Sequence, residues 1–84
     1  MEEHELTENK IKEIISNNIR IIRRFNGLTL KDVAEIVNTT HQQVQKYEAG
    51  KSLIPIHKLF LLSSHLDLPI TFFLTEFELI HEIN

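Results

Sequence analysis

The chain contains no cysteine, and only two glycines and two prolines interrupt its 84 residues. Lack of cysteine removes disulfide staples, thiolate metal sites and a cysteine nucleophile, and it suits the cytoplasm. Scarce glycine and proline leave helices few places to break, so with 42% hydrophobic residues a single all-α domain over 1–84 is expected. No apolar run approaches the roughly 18 residues needed to cross a bilayer, so no membrane partner is expected. The opening MEEHELTENK is acidic and polar rather than basic then apolar, so no signal peptide is expected. Enzymatic signatures are missing too. His4, His41, His57, His65 and His81 show no H-E-x-x-H or comparable ligand spacing. Neither a glycine-rich phosphate loop nor a G-x-S-x-G elbow is present. The expectation is a protein without catalysis, metal or cofactor.

What the chain does have is concentrated in Leu28 to Gly50, LTLKDVAEIVNTTHQQVQKYEAG. Thr29 with Asp32, and Thr40 with Gln43, each fit the capping pattern in which hydroxyl and third-position side chain satisfy each other's backbone donors. Asp is the shorter choice, so the second box is expected to be the better one. Leu28 and Val33 are placed to form a hydrophobic staple. Asn38, between the two periodic segments, tolerates a left-handed backbone. Two helices, about 30–37 and 41–49, joined by a left-handed turn make a helix-turn-helix unit over about 29–49.

Around this unit the apolar periodicity predicts further helices. Thr7 is a candidate cap, with Leu6 stapling to Ile11, and Ile11, Ile14, Ile15, Ile19, Ile22 and Phe25 recur at helical spacing. Asn26-Gly27 ends that helix. Ile54-Pro55 opens a fourth helix, proline fitting the first turn, with Leu59, Leu62 and Leu66 on its apolar face and Ser63 as a close-packing small residue. Asp67-Leu68-Pro69 breaks it, and Pro69 starts a short fifth helix with Phe72 and Phe73. A short helical tail over 75–84 follows, with Phe77 and Ile80 on one side. Ala34 sits where the second and third helices should cross, too tight for a larger side chain.

The ordered set Leu28-Thr29, Val33-Ala34-Glu35, Thr40-x-x-x-Val44 and Tyr47-Glu48-x-Gly50 resembles the lambda-repressor-like, or xenobiotic-response-element, helix-turn-helix family. Ile19-x-x-Ile22-Arg23 upstream and Ile54 through Phe73 downstream extend the likeness over roughly residues 16 to 74. The resemblance implies a five-helix domain that binds double-stranded DNA and reads its major groove with the third helix. Spacing agrees: Val44 and Tyr47 should face inward, turning His41, Gln42, Gln45 and Lys46 outward. Glutamine can read the N6/N7 edge of adenine, and Lys46 or a donor nitrogen of His41 can reach guanine acceptors or phosphate. The alternative for these four is a solvated helix face.

Phosphate contact is expected from Lys31, Thr40, Gln43, Lys51 and Ser52, with plain solvation the alternative for the two lysines. The resemblance further implies a structural ion pair between Arg23 and Glu48, tying the first helix to the end of the third. The chain departs from the family at Leu30, where glutamine is usual, and in the loop Lys51-Ser52-Leu53. Both departures suggest a weaker or differently spaced grip on the DNA backbone.

A net charge of −3 looks wrong for such a role, but its distribution is uneven. The acidic lead, residues 1–9, carries four glutamates, and residues 76–84 carry three. Between them nine Lys or Arg face five carboxylates, a surplus of four positive charges. Leu53, Ile54, Ile56, Phe60, Leu61, Phe77 and Ile80 offer more apolar surface than one small core requires. A homodimer through that surface would set two recognition helices about 34 Å apart over a palindrome; otherwise the tail covers it. The expected function is a sequence-specific regulator, a repressor, of bacterial or phage origin. Alternatives are an antitoxin that binds its own operator, and a protein-interaction module that keeps the frame with weakened DNA contact.

Overall fold

The Thr7 hydroxyl accepts the Lys10 amide at 3.1 Å and caps α1, Glu8–Phe25. Glu8 in the first turn and Arg23 and Arg24 in the last place charge favourably along the helix dipole. The structure, a computed structural model, describes residues 6–77. Ile15, Ile19 and Ile22 form the buried face of α1. Two members of the expected stripe do not join it. Ile11 is half-exposed beside an exposed Leu6, so no buried staple forms, and Phe25 is 88% exposed. The chain turns through Asn26 and Gly27, returns the Leu28 amide to the Arg23 carbonyl at 3.0 Å, and packs Leu28 rather than Phe25 against the core.

Helices α2, Leu30–Val37, and α3, His41–Glu48, follow with Thr29 and Thr40 as caps. The full reciprocal box closes at α2, not α3. The Asp32 amide donates to the Thr29 hydroxyl at 3.0 Å, and the Thr29 amide donates to the Asp32 carboxylate at 2.8 Å. At α3 only the first half forms, the Gln43 amide donating to the Thr40 hydroxyl at 3.1 Å. A short carboxylate is a strong, charged acceptor at a helix start, which outweighs the better reach of glutamine. Asn38 takes the left-handed conformation, φ 62°, and the Thr39 amide reaches back to the Ala34 carbonyl at 2.8 Å. Ala34 is buried between α2 and α3 with Val33, Val37, Val44 and Tyr47. Gly50 ends α3 at φ +76°, and a β-carbon there would sit 3.5 Å from the Ser16 hydroxyl.

Helix α4 spans Ile56–Leu66, with Pro55 as its cap residue, one position ahead of the first turn expected for it. Leu59 and Leu62 are buried, and Ser63 donates its hydroxyl to the Leu68 carbonyl at 2.5 Å. Ile54 is corrected from surface to core: it is 5% exposed. Lying before the extended Pro55, it turns inward and joins the main hydrophobic cluster. Asp67, left-handed at φ 57°, stops α4. The expected fifth helix is a 3-10 helix, Ile70–Leu74, so the described residues form four α-helices and one 3-10 helix. Buried Asn18 ties this segment down. Its carboxamide nitrogen donates to the carbonyls of Phe73 at 2.9 Å and Thr75 at 2.6 Å, pinning the short segment to α1. Phe73 fills the core with no exposed surface. Phe77 stacks obliquely on Phe72, ring centroids 5.9 Å apart, while Ile80 and most of the expected tail lie outside the described residues.

Candidate nucleic-acid interface

Helix α3 divides cleanly between core and solvent. Val44 and Tyr47 are 0% and 4% exposed, and they anchor one face. His41, Gln42, Gln45 and Lys46 are all exposed and together form the opposite ridge. The helix carries no acidic residue in its first turn, so the leading end of this ridge presents neutral and basic groups. Thr40, at the same end, is exposed and uses its hydroxyl oxygen as an acceptor for the Gln43 amide. Its hydroxyl hydrogen remains available to an incoming acceptor. The Gln43 side chain, half-buried, closes no capping box and keeps its carboxamide for other partners.

Lys31, near the start of α2, is exposed and lines the same shallow cleft as His41. Leu28 and Leu30 also line that cleft, half-buried, where a glutamine would have offered an amide. Lys51 is exposed and Ser52 half-buried in the loop beyond Gly50. The Lys51 and Ser52 amides both return to the Lys46 carbonyl, at 3.0 and 3.3 Å. This holds the backbone of the loop against the last turn of α3.

Arg23 also lines that cleft, but its guanidinium is committed to Glu48. Arg23 Nε and Nη2 meet the two carboxylate oxygens at 2.5 and 3.1 Å, and Nη1 donates to the Leu28 carbonyl at 3.0 Å. The fork-to-fork pair joins α1 to the end of α3 and fixes the turn into α2. Both side chains are buried enough, 13% and 8% exposed, that their roles are in the frame.

Two side chains that sequence reasoning did not single out hold distant segments together. One is Asn18, already described, which ties the 3-10 segment to α1. The other is Lys58, on the first turn of α4, whose ammonium donates to the carbonyls of Val37 at 2.8 Å and Asn38 at 3.1 Å. These contacts close the turn of the helix-turn-helix from outside it. Their partners lie 20 and 21 residues away, beyond the reach of any local pattern. Of the expected dimer surface, Leu53, Ile56, Phe60 and Leu61 are exposed and Phe77 half-buried. Among the described residues no group of three His, Asp or Glu converges as a metal site, and no helix is long and apolar enough to cross a membrane.

Residues 19–73 match the helix-turn-helix family profile, a span that encloses α2, the left-handed turn and α3. The chain belongs to the helix-turn-helix family. Among curated proteins it is 37% identical over 75 residues to an uncharacterized HTH-type transcriptional regulator of Rickettsia conorii, covering 89% of this chain and 58% of that protein. It is 32% identical over 73 residues to another from Sinorhizobium medicae, covering 87% of this chain and 52% of that one. The chain thus spans little more than half the length of the curated relatives it matches. Among solved structures, an HTH_3 family transcriptional regulator from Vibrio cholerae superposes with a TM-score of 0.71 at 25% identity, over 80% of this chain and 38% of that one. A hypothetical transcription factor from Neisseria shares the fold, with a TM-score of 0.74 at 14% identity, over 100% of this chain and 98% of that chain.

Proposed function

We propose that this chain is a sequence-specific double-stranded DNA-binding regulator, a repressor, that lays α3 in the major groove. The observation that carries the reading is the exposed ridge His41, Gln42, Gln45 and Lys46, backed by the buried anchors Val44 and Tyr47. Gln42 and Gln45 supply paired donor and acceptor groups for adenine, and His41 and Lys46 supply donors for guanine or phosphate. Lys31, Thr40, Gln43, Lys51 and Ser52 surround the ridge and would grip the two sugar-phosphate strands. Leu30 contributes no polar grip, so recognition leans more on α3 itself. Repression follows from occupancy: a small domain seated on an operator blocks whatever else must bind there. The curated relatives named as HTH-type transcriptional regulators, and the regulator from Vibrio cholerae, support the same class.

Assembly as a homodimer is part of the proposal. Leu53, Ile56, Phe60 and Leu61 leave apolar surface exposed on and beside α4, and a two-fold pair would present two α3 ridges to a palindrome. That same apolar surface also favours a second reading, in which the fold serves a protein partner such as a toxin and touches DNA weakly or not at all. Selection from random duplex DNA separates the two. A recovered two-fold site, bound with an affinity that falls linearly in log salt, supports the first. Gln45→Ala should then relax preference at one base position, and Lys51→Ala should lower the salt slope by about 0.9. Failure to enrich any sequence, with no salt-dependent binding, would refute it.

A further inference from the structure

Lys58 of α4, half-buried, turns its ammonium back onto the helix-turn-helix unit. Helix α2 has no basic residue in its last turn, so its negative dipole end and terminal carbonyls need a cation from elsewhere. Lys58 supplies it, 2.8 Å from the Val37 carbonyl and 3.1 Å from that of Asn38. Asn38 is the left-handed residue that sets the angle between α2 and α3, and Thr40, two residues on, caps α3. The ammonium therefore holds the carbonyls on both sides of the Asn38 backbone torsions. Its stem rises from α4, which is itself pinned on the core through Leu59 and Leu62.

We propose that Lys58 is a positioning residue for recognition: it fixes the orientation of α3 relative to α2 without touching nucleic acid. This rests on the DNA-binding reading and deepens it. Charge-assisted bonds to two consecutive carbonyls are the strong kind, and consecutive acceptors restrain the Asn38 φ and ψ that lie between their peptide planes. With the ammonium removed, Asn38 keeps its own left-handed preference but the hinge gains freedom. The ridge His41, Gln42, Gln45 and Lys46 then samples orientations in which fewer of its side chains reach the groove together.

The test uses the full chain with Lys58→Met, which keeps the stem and removes the ammonium, at a temperature where circular dichroism shows both proteins folded. Residual dipolar couplings of the α3 amides are measured in the DNA-free protein, and affinity for the selected operator is measured across a salt series. Positioning predicts couplings for 41–48 that no longer fit the wild-type orientation, operator affinity weakened about tenfold, and an unchanged salt slope. Unchanged couplings would overturn the proposal, as would altered couplings with full operator affinity. A slope reduced by about 0.9 would mark Lys58 as a direct phosphate contact and overturn it too. Should the methionine variant not fold, Lys58→Gln, with a neutral donor, carries the same measurements. If wild type itself bound no duplex, the function reading would fall, while the couplings would still judge the orientation of α3.

Discussion

Replacing Arg23 with alanine tests the frame that presents the ridge. The guanidinium engages both oxygens of Glu48 and the Leu28 carbonyl, and the Glu48 side chain is 8% exposed. Removing it strands a carboxylate where water cannot easily solvate it. A stranded partner of a buried pair costs about 3–5 kcal/mol. Domains of this size are stable by about 5–15 kcal/mol, so the loss takes a large share of the total. At about 4–8 °C per kcal/mol, the melting temperature of Arg23→Ala should fall by roughly 10–40 °C. Differential scanning calorimetry at neutral pH, with urea unfolding beside it, measures this directly. The double variant Arg23→Met with Glu48→Met should be more stable than either single change, because no lone charge is buried. A single alanine variant melting within about 2 °C of wild type would refute the reasoning. So would a double variant whose loss equals the sum of the two.

Three further outcomes follow from the structure. The Thr29 amide, and then its hydroxyl, hold the Asp32 carboxyl below its ordinary pKa of 3.8. A folded-state pKa below the unfolded one gives stability that is present above the unfolded value and lost as pH falls through the folded one. An NMR titration of the Asp32 carboxyl carbon should have its midpoint below 3.8, and a midpoint at or above it would contradict the capping geometry. Asn18→Ala should cost about 1–3 kcal/mol in urea unfolding, because it leaves the Phe73 and Thr75 carbonyls without their donor. Phe25→Ser should change stability by no more than about 0.5 kcal/mol, since the ring is 88% exposed; a larger loss would mean that the ring is covered in solution.

The helix-turn-helix unit was readable because its signals are local. Thr29, Thr40, Asn38 and Gly50 act within four residues of themselves, and Val33, Val37, Val44 and Tyr47 repeat at a period the chain itself displays. Long-range arrangements were not. Asn18 gains its meaning from carbonyls 55 and 57 residues away, and Lys58 from carbonyls 20 and 21 away. Phe25 continued the helical stripe by spacing, yet burial also needs a partner element, and Leu28 occupies that end of the core. Ile54 looked like surplus apolar surface because the proline after it hides which way the chain turns. The segment Ile70–Leu74 is likewise held from a distance, through the Asn18 carboxamide of α1. The ridge residues of α3 could be placed from spacing alone, while the nature of what they touch could not.

Helices α2 and α3 have eight residues each, little more than two turns. Nucleation makes such segments unstable as peptides in water, so neither persists away from the rest of the fold. The exposed ridge of α3 therefore has no existence separate from the cooperative unit: it arises and vanishes with every other part at once. Substitutions as distant as the floor beneath the 3-10 segment would then lower occupancy of an operator simply by emptying the native population. Such losses would mimic damaged contacts, and only a measurement made well below the melting transition would tell the two apart.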